Sequence, residues 1–192
     1  MSKPSAALHI PKRQLKVELA ETQSDFDQAY ALRYKVFVEE QGLSLTTVDS
    51  GMEHDLFDPY CHHLLVKDEA INNEVVGTYR ILPFHQAKQV GGFYSETEFD
   101  LSNIQPMFKN LVEVGRSCIH QDYRTEGVIG LLWARIAQYM QDNGYEYLMG
   151  CASISMADGE VNALKVYQSL KHICLSPEVW RVYPLNPCPG FP

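Results

Sequence analysis

The chain has 192 residues, of which 45% are hydrophobic and 21% charged, and its formal net charge is −8 at pH 7. This composition suits one globular domain over residues 1–192, with loose tails at 1–12 and 186–192. The negative charge disfavours general nucleic-acid binding. Five cysteines without CxxC spacing predict a reduced, cytoplasmic protein that has no zinc site. The chain shows no apolar run of membrane-spanning length and no signal-peptide pattern.

The first half of the chain is predicted to form a strand, a helix and two strands joined as a hairpin. Alternating apolar residues mark the strands, and apolar residues at helical spacing mark the helix. A capping box at the helix start is predicted from Ser24 and Asp27. The predicted elements are the strand Gln14–Ala20, the helix from Ser24 to about Gln41 before Gly42, and the strands Cys61–Lys67 and Glu74–Leu82 around the turn Asn72-Asn73.

The second half predicts a short helix, a buried strand, a glycine-bearing loop, an amphipathic helix, a strand, a helix and a strand. Two strands that flank a crossover helix should run parallel. The order predicts an α/β (α+β) fold with a mixed, mainly antiparallel sheet and helices on both faces. The predicted elements are Ser102–Phe108, Leu111–Ile119, the loop His120–Gly130, the helix to Asp142, Tyr145–Ala152, Asp158–Leu170 with Asp158 as N-cap, and Pro177–Leu185.

Two charged residues, Glu113 and Arg116, interrupt the apolar strand Leu111–Ile119. A charge in a buried strand is costly unless it is paired or used. The two residues would point to opposite faces of a regular strand, and a bulge at Gly115 would bring them to one side. The strand, loop and helix N-terminus together favour a phosphate-binding site. An ordinary strand–turn–helix unit of an α/β domain is the alternative.

Other charged residues are candidates for the same site. Arg33 shares a helix face with Phe37, and its spacing alone favours a solvated helix charge. Arg80 lies within a predicted strand, either at the solvent face or aimed into a cleft. Asp55 and Asp58 lie in a long loop, where they either bind a cation or a substrate ammonium or form turns.

The order of elements resembles that of the GNAT superfamily of N-acetyltransferases. The stretch HQDYRTEGVIGLLW is similar to the phosphate loop of that family, with Arg124 and Gly127 in the expected places. Ile129 stands where a glycine or alanine is usual, and Gly130 comes one residue later. The segments RYKVFVEEQG, CHHLLV, VVGTYRILP, GGFYSETEFDLS and EVGRSCI are more similar to the long-chain N-acyl amino acid synthases and ornithine N-acyltransferases, relatives of the acyl-homoserine-lactone synthases.

This resemblance implies transfer of a long-chain (3-hydroxy)acyl group from acyl carrier protein to the α-amine of an amino acid, with ornithine as a possible acceptor. The donor would be an acyl-phosphopantetheine, or an acyl-CoA, in a V-shaped cleft between the two parallel strands. No permanently bound cofactor and no metal are expected. Carrier-protein docking is expected near the mouth of the cleft, and a peripheral membrane contact is possible. The basic residues expected there are Arg124, Arg135, Lys165 and Lys171.

The resemblance also implies roles for individual residues. Glu113 would take the proton of the attacking amine, and Arg116 would orient Glu113 or bind the substrate carboxylate. Arg33 and Arg80 are other candidates to bind that carboxylate or to fix Asp55 and Asp58. A buried ionic network of Arg33, Asp55, Arg80, Glu113 and Arg116 is the structural alternative. The expected catalytic residues are Glu113, Arg116, Arg33, Arg80, Asp55 and Asp58; the phosphopantetheine and oxyanion residues are Val114, Gly115, Ser117, Arg124, Gly127 and Gly130; the acyl-pocket residues are Phe37, Phe84, Phe93, Phe99 and Leu148.

Three other functions compete with this one. An acyl-homoserine-lactone synthase would need S-adenosylmethionine, but the tryptophan that this family carries after its first helix is missing from 38–44. A CoA-dependent acetyltransferase with a small acyl group is disfavoured by the altered glycine loop. A non-catalytic ligand-binding domain on the same scaffold is the third alternative.

Overall fold

The computed structural model describes residues 12–45, 48–125 and 127–188. Short 3-10 segments connect many of the helices and strands. The strands are β1 Leu15–Leu19, β2 Val48–Asp49, β3 Met52–Glu53, β4 His62–Asp68, β5 Glu74–Pro83, β6 Phe99–Asp100, β7 Leu111–Ile119, β8 Tyr147–Met149 and β9 Tyr183–Pro184, and the α-helices are α1 Gln23–Tyr34, α2 Phe84–Ala87, α3 Val128–Asn143 and α4 Val161–Leu170.

The main sheet has five strands among the described residues, in the order β1-β4-β5-β7-β8. Strand β1 runs antiparallel to β4, with Leu15 opposite Asp68. Strands β7 and β8 run parallel, with Leu111 opposite Tyr147, as predicted for two strands that flank the crossover helix α3. The predicted mixed, mainly antiparallel sheet is therefore confirmed. The pairs β2–β3 and β6–β9 form two short sheets of their own.

The chain divides into two compact units, and each is built from separate stretches of sequence. The first unit comprises Met1–His54, His63–Tyr79 and Cys118–Arg135. The second unit comprises Asp55–His62, Arg80–Ser117 and Ile136–Pro192. Each charged cluster and cavity described below lies within one of these units.

The core of the first unit places a helix on each face of the strands. Helix α1 packs through Ala29 into a cluster that contains Leu65 of β4. Helix α3 lies so close to the strands that a Cβ atom at Gly77 would be 2.6 Å from Val128 Cγ1 and 3.6 Å from Val66 Cβ. Successive residues of a strand point to opposite faces of the sheet. Leu65 lies on the side of α1 and its neighbour Val66 on the side of α3, so the two helices cover opposite faces. The predicted placement of helices is thus confirmed.

The start of α1 differs from the prediction. Thr22 is the N-cap and forms a capping box with Asp25, so the predicted pair Ser24 and Asp27 is wrong by two residues. Asp25 is buried and its carboxylate accepts hydrogen bonds from the Thr22 N–H and from Lys67 Nζ. The long-range partner Lys67, which local spacing does not reveal, determines which aspartate turns inward.

The end of the same helical stretch agrees with the prediction in extent but not in geometry. The α-helix continues as a π-helix over Lys35–Glu40, and Gly42 then adopts a left-handed conformation with φ of 68°. Glycine accommodates that conformation without a Cβ clash. The hairpin turn is confirmed, because Asn72 and Asn73 both have positive φ.

Three predicted elements near the C-terminus are shorter than expected or absent. The strand predicted over Pro177–Leu185 is wrong: Glu178–Trp180 is a 3-10 turn, and only β9 follows it. The predicted strand Tyr145–Ala152 is reduced to β8. The N-cap of α4 is Glu160, so the prediction of Asp158 is wrong, although the Asp158 carboxylate accepts the Asn162 N–H at 2.9 Å. In the segment predicted as the last strand, the Trp180 N–H donates to the Pro177 carbonyl at 2.9 Å and the Arg181 N–H to the Glu178 carbonyl at 3.2 Å, so these groups bond within a turn.

No helix within the described ranges is both long and apolar enough to cross a membrane.

Candidate active site

The point where β7 and β8 stop pairing creates the candidate site in the second unit. Their register ends with Glu113 opposite Met149. At the next position a Cβ atom on Gly150 would lie 2.3 Å from the Val114 carbonyl oxygen, so only glycine fits this approach. Beyond it lies a cavity of about 60 Å³, large enough for a small polar group. The cavity is lined by Arg80, Leu82, Tyr94, Glu113, Val114, Gly115, Arg116, Cys151 and Ser153.

The Glu113 side chain is buried against this cavity. Its Oε2 accepts the Tyr94 N–H at 2.8 Å, and its Oε1 accepts the Ser95 N–H at 2.7 Å and the Ser95 hydroxyl. Burial raises the pKa of Glu113 above its ordinary value, and these hydrogen bonds only partly oppose that effect. A carboxylate in this setting is suited to accept a proton from a group in the cavity.

Arg116 reaches the same cavity because the strand is irregular at that residue. Its φ is 51°, a left-handed conformation in which non-glycine residues are uncommon. The predicted convergence of Glu113 and Arg116 on one side is confirmed, since both line the cavity. The unusual backbone conformation in this segment is that of Arg116 itself, next to Gly115, where a bulge was expected. Such backbone strain is concentrated at functional sites.

Asp55 joins two arginines into one ionic cluster. Arg80 Nη1 lies 2.6 Å from Asp55 Oδ1 and 3.2 Å from Asp58 Oδ1. Arg116 Nη2 lies 2.9 Å from Asp55 Oδ2. Of the ionic network expected from the sequence, Asp55, Arg80 and Arg116 are joined here, and Asp58 is an additional member. Because each aspartate carboxylate already binds a guanidinium group, the cluster fixes the two arginines beside Glu113.

Arg33 belongs to the first unit and has a different partner. Its Nε lies 2.5 Å from Glu53 Oε2, and both side chains are almost fully buried. The Tyr30 ring also lies under its guanidinium group, 5.3 Å from Cζ to the ring centroid. The prediction of a solvated helix charge is therefore wrong. Glu53, on the short strand β3, supplies a counter-charge that helical spacing does not reveal.

The residues expected to hold phosphopantetheine fall into two groups. Val114, Gly115 and Ser117 lie on β7 in the second unit, whereas the loop residues lie in the first unit. Gly127 has a φ of 73° immediately before α3, and Gly130 lies within the first turn of that helix. The Arg124 guanidinium binds Glu40, and its Nε donates to the Ile119 carbonyl at 3.2 Å. The phosphate-binding roles of these residues stay predictions.

A second cavity in the same unit, of about 190 Å³, is mainly apolar. Of the residues predicted for an acyl pocket, Phe99 lines it. Phe84 and Phe93 stack at 5.8 Å between ring centroids inside the core of this unit, and Leu148 is half-buried on β8. Phe37 packs against the core of the first unit. The cavity is lined by Ser95, Phe99, Leu101, Ile104, Met149, Gly150, Cys151, Ala152 and Val182.

Sequence reasoning missed Ser95, which touches Glu113, and Cys151, which lines both cavities. Ser95 lies 18 residues before Glu113 in a loop, and no periodicity connects the two. Cys118 on β7 is buried, and burial raises the pKa of its thiol to about 12. Such a thiol is a poor nucleophile at neutral pH, so Cys118 is not a candidate for forming an acyl-enzyme.

The model of the acetyltransferase (GNAT) domain family matches residues 32–134, more than half of the chain. The chain belongs to the GNAT family. This GNAT protein is also 35% identical over 176 residues to the L-ornithine N(alpha)-acyltransferase of Brucella abortus (strain 2308), a match that covers 88% of the chain and 62% of the relative. The chain spans less than two thirds of the length of the curated relatives that it matches.

Two solved structures share the fold of this GNAT protein. The N-acyl amino acid synthase FeeM from uncultured soil microbes has a TM-score of 0.56 at 13% identity, covering 77% of this chain and 76% of that one. The CoA-dependent acyl-homoserine lactone synthase BjaI, solved with SAM and isopentyl-CoA, has a TM-score of 0.55 at 20% identity, covering 79% of this chain and 72% of that one. At these identities the similarity concerns the fold alone.

Proposed function

We propose that the protein is an N-acyltransferase that moves a long acyl group from the phosphopantetheine thioester of acyl carrier protein to the α-amine of an amino acid. Ornithine is the first candidate acceptor, because the curated relatives are named L-ornithine N(alpha)-acyltransferases. The observation that supports the proposal most strongly is the buried Glu113 carboxylate at the polar cavity where β7 and β8 separate.

Glu113 is the general base of the proposed reaction. An α-ammonium group must lose a proton before its nitrogen attacks a thioester carbonyl. Because its pKa is raised, Glu113 is a stronger base than an exposed glutamate and its pKa lies closer to that of the amine. The amine nitrogen then forms the C–N bond, the C–S bond breaks, and the phosphopantetheine sulfur leaves as a thiol with a proton from the attacking nitrogen. The products are an N-acyl amino acid and the free carrier thiol.

The charges around the cavity support an amino acid acceptor. Arg80 and Arg116 supply two positive charges, and Asp55, Asp58 and Glu113 supply three negative ones, so the cluster has a net charge of −1. A cavity with this balance attracts an ammonium group. The guanidinium of Arg116, the more exposed of the two arginines, is the proposed partner of the substrate carboxylate, because its geometry suits a bidentate contact.

The donor is proposed to enter where β7 and β8 diverge. Backbone N–H groups at 114–117 would stabilise the oxyanion that forms from the thioester carbonyl. The apolar cavity lined by Phe99, Met149 and Val182 would receive the first part of the acyl chain. Cys151 lines both this cavity and the polar one, so the two cavities are adjacent. The reacting carbonyl would lie in the polar cavity and the start of the acyl chain in the apolar one.

Acyl carrier proteins are acidic, and this chain also has a net negative charge. Docking therefore requires locally basic residues, and Arg124 and Arg135, both of the first unit, are the proposed ones. Replacing Arg124 and Arg135 with glutamate should raise the apparent KM for acyl carrier protein while the KM for the amino acid stays unchanged. An unchanged KM for the carrier protein would remove them from the docking surface.

A product screen tests the proposal directly. Purified protein is incubated with myristoyl acyl carrier protein and a mixture of ornithine, the common amino acids and S-adenosylmethionine, and products are identified by mass spectrometry. An N-acyl amino acid is expected, and its mass identifies the acceptor. A homoserine lactone product would favour the synthase alternative. Unreacted donors, with both acyl carrier protein and acyl-CoA, would contradict the proposal.

A further inference from the structure

Ser95 holds the Glu113 carboxylate through two separate donors. Its backbone N–H lies 2.7 Å from Glu113 Oε1, and its hydroxyl donates to the same oxygen. The neighbouring Tyr94 N–H binds the other oxygen at 2.8 Å. Ser95 is 4% exposed, so solvent does not replace these contacts. The carboxylate is therefore oriented by one short turn of the chain.

That turn has its own support. It is a 3-10 turn over Tyr94–Thr97, and Glu96 Oε2 accepts the N–H of the capping residue Phe93 at 2.6 Å, which fixes the start of the turn. Thr97 Oγ1 donates to the Tyr94 carbonyl at 2.7 Å on the exposed side. The turn thus carries two aliphatic hydroxyl groups, that of Ser95, which reaches Glu113, and that of Thr97, which bonds within the turn.

Ser95 also faces the apolar cavity, whereas Glu113 faces the polar one. Its Oγ lies 3.3 Å from the Sγ of Cys151, the residue that lines both cavities. A carboxylate has about four acceptor positions, and the turn occupies three of them. The position that remains is the one available to a group in the polar cavity.

We infer that Ser95 is a positioning residue for acyl transfer, which holds Glu113 so that its remaining acceptor position faces the acceptor amine. This inference rests on the proposed function of Glu113 as the base. The hydroxyl has two effects on the carboxylate. It limits rotation of the Glu113 side chain, and it stabilises the ionised form that can accept a proton.

The test compares Ser95→Ala with Thr97→Ala, a matched loss of a hydroxyl from the same turn. Both variants and the unchanged protein are assayed for kcat and KM across a range of pH. For Ser95→Ala we expect a fall in kcat of about tenfold or more at neutral pH with little change in either KM. The acid limb of the profile should move up by about one to two pH units, because the ionised carboxylate loses a donor. Thr97→Ala should retain the profile of the unchanged protein.

Two further variants keep the test decisive if Ser95→Ala unfolds. Ser95→Thr keeps the hydroxyl and should restore the acid limb, and Ser95→Cys, with a weaker donor, should lie between serine and alanine. Thermal unfolding of each variant separates lost folding from lost positioning. An acid limb that does not move in Ser95→Ala or Ser95→Cys, or one that moves equally in Thr97→Ala, would overturn the inference.

Failure of the proposed function has a different signature. If no acyl transfer occurs, or if Glu113→Gln retains full turnover, Glu113 is not the base. If Glu113→Gln is inactive while Ser95→Ala keeps the unchanged pH profile, only the role of Ser95 is lost.

Discussion

Arg80 Nη1 lies 2.6 Å from Asp55 Oδ1, and only 4% of the arginine side chain and 7% of the aspartate side chain are exposed. The other oxygen of the same carboxylate binds Arg116. Asp55 therefore has a structural task, which is to hold two guanidinium groups at the cavity. Removing one partner of a buried ion pair strongly destabilises a protein, even where the intact pair contributes little net stability.

Asp55→Asn should lower the free energy of unfolding by about 3 kcal/mol, since it removes one charge from a buried cluster. Urea unfolding at pH 7 measures the change. Glu40→Gln is the control, because its partner Arg124 is 49% exposed and such pairs contribute about 1 kcal/mol or less. Equal losses in the two variants would show that the cluster at Asp55 is not a special stabiliser.

The Asp25 carboxylate in the first unit predicts a pH-dependent stability. Burial alone would raise the pKa of Asp25, but Lys67 and the N–H groups of Glu21 and Thr22 hold it well below the ordinary 3.8. A folded pKa below the unfolded one gives stability that is fully present above about pH 3.8 and is lost as the pH falls through the folded pKa.

Asp25→Asn should therefore lower the free energy of unfolding at pH 7 by about 2 kcal/mol, through the lost charged hydrogen bonds and the weakened cap. The difference from the unchanged protein should narrow as the pH falls below 3.8. Asp27→Asn, two residues further along α1 and hydrogen-bonded to Gln23 on the surface, is the control and should cost little at any pH. A loss for Asp25→Asn that is constant with pH would contradict this explanation.

The substitution Gly150→Ala tests how closely the backbone at Gly150 approaches β7 next to the site. In Gly150→Ala the new Cβ would lie 2.3 Å from the Val114 carbonyl oxygen, so the backbone must shift. A loss of about 1–3 kcal/mol in unfolding free energy is expected. Gly130→Ala adds a methyl group where the structure has open space in α3, and it should stabilise the protein by about 0.8 kcal/mol. Thermal unfolding of both variants measures the contrast, and stabilisation by Gly150→Ala would refute the close approach.

The raised pKa of Glu113 predicts the shape of the pH–rate profile. Burial is the main cause of the shift, so the carboxylate loses its proton at a higher pH than an ordinary glutamate. Because a base acts only when deprotonated, kcat/KM should fall as the pH drops through a value above 4.5, the ordinary pKa of glutamate. Measurement of kcat/KM from pH 4 to 9 tests this. An acid limb at or below the ordinary value would contradict the environment described for Glu113.

The fold was largely predictable because its strands and first helices carry local signals. The alternation in β1 and the paired asparagines before β5 identify their elements without reference to the rest of the chain. Trp180 and Val182 resemble a strand in the sequence, yet hydrogen bonds within the turn 177–181 satisfy that backbone locally. The capping residue of α1 was misplaced for a related reason, because the distant Lys67 decides which aspartate is buried.

The candidate site was predictable to the extent that charge in an apolar strand is a signal. Glu113 and Arg116 were identified on that ground, and the structure brings both to one cavity, while their catalytic roles stay predictions. The contacts that orient Glu113 come from Ser95, and the partner of Arg33 is Glu53, 20 residues away. Neither partner follows from spacing, because only the tertiary fold brings these segments together.

Single-turnover acyl transfer by Glu113→Gln is the most direct test of the central claim. The experiment uses myristoyl acyl carrier protein and ornithine at saturating concentrations, and thermal unfolding reports the folded fraction. A glutamine amide nitrogen would oppose one of the backbone N–H donors at 94–95, so rates are expressed per folded molecule. We predict a rate at least about 100-fold below that of the unchanged protein, with little change in donor affinity. An equal rate in the two proteins would contradict the assignment of Glu113 as the base.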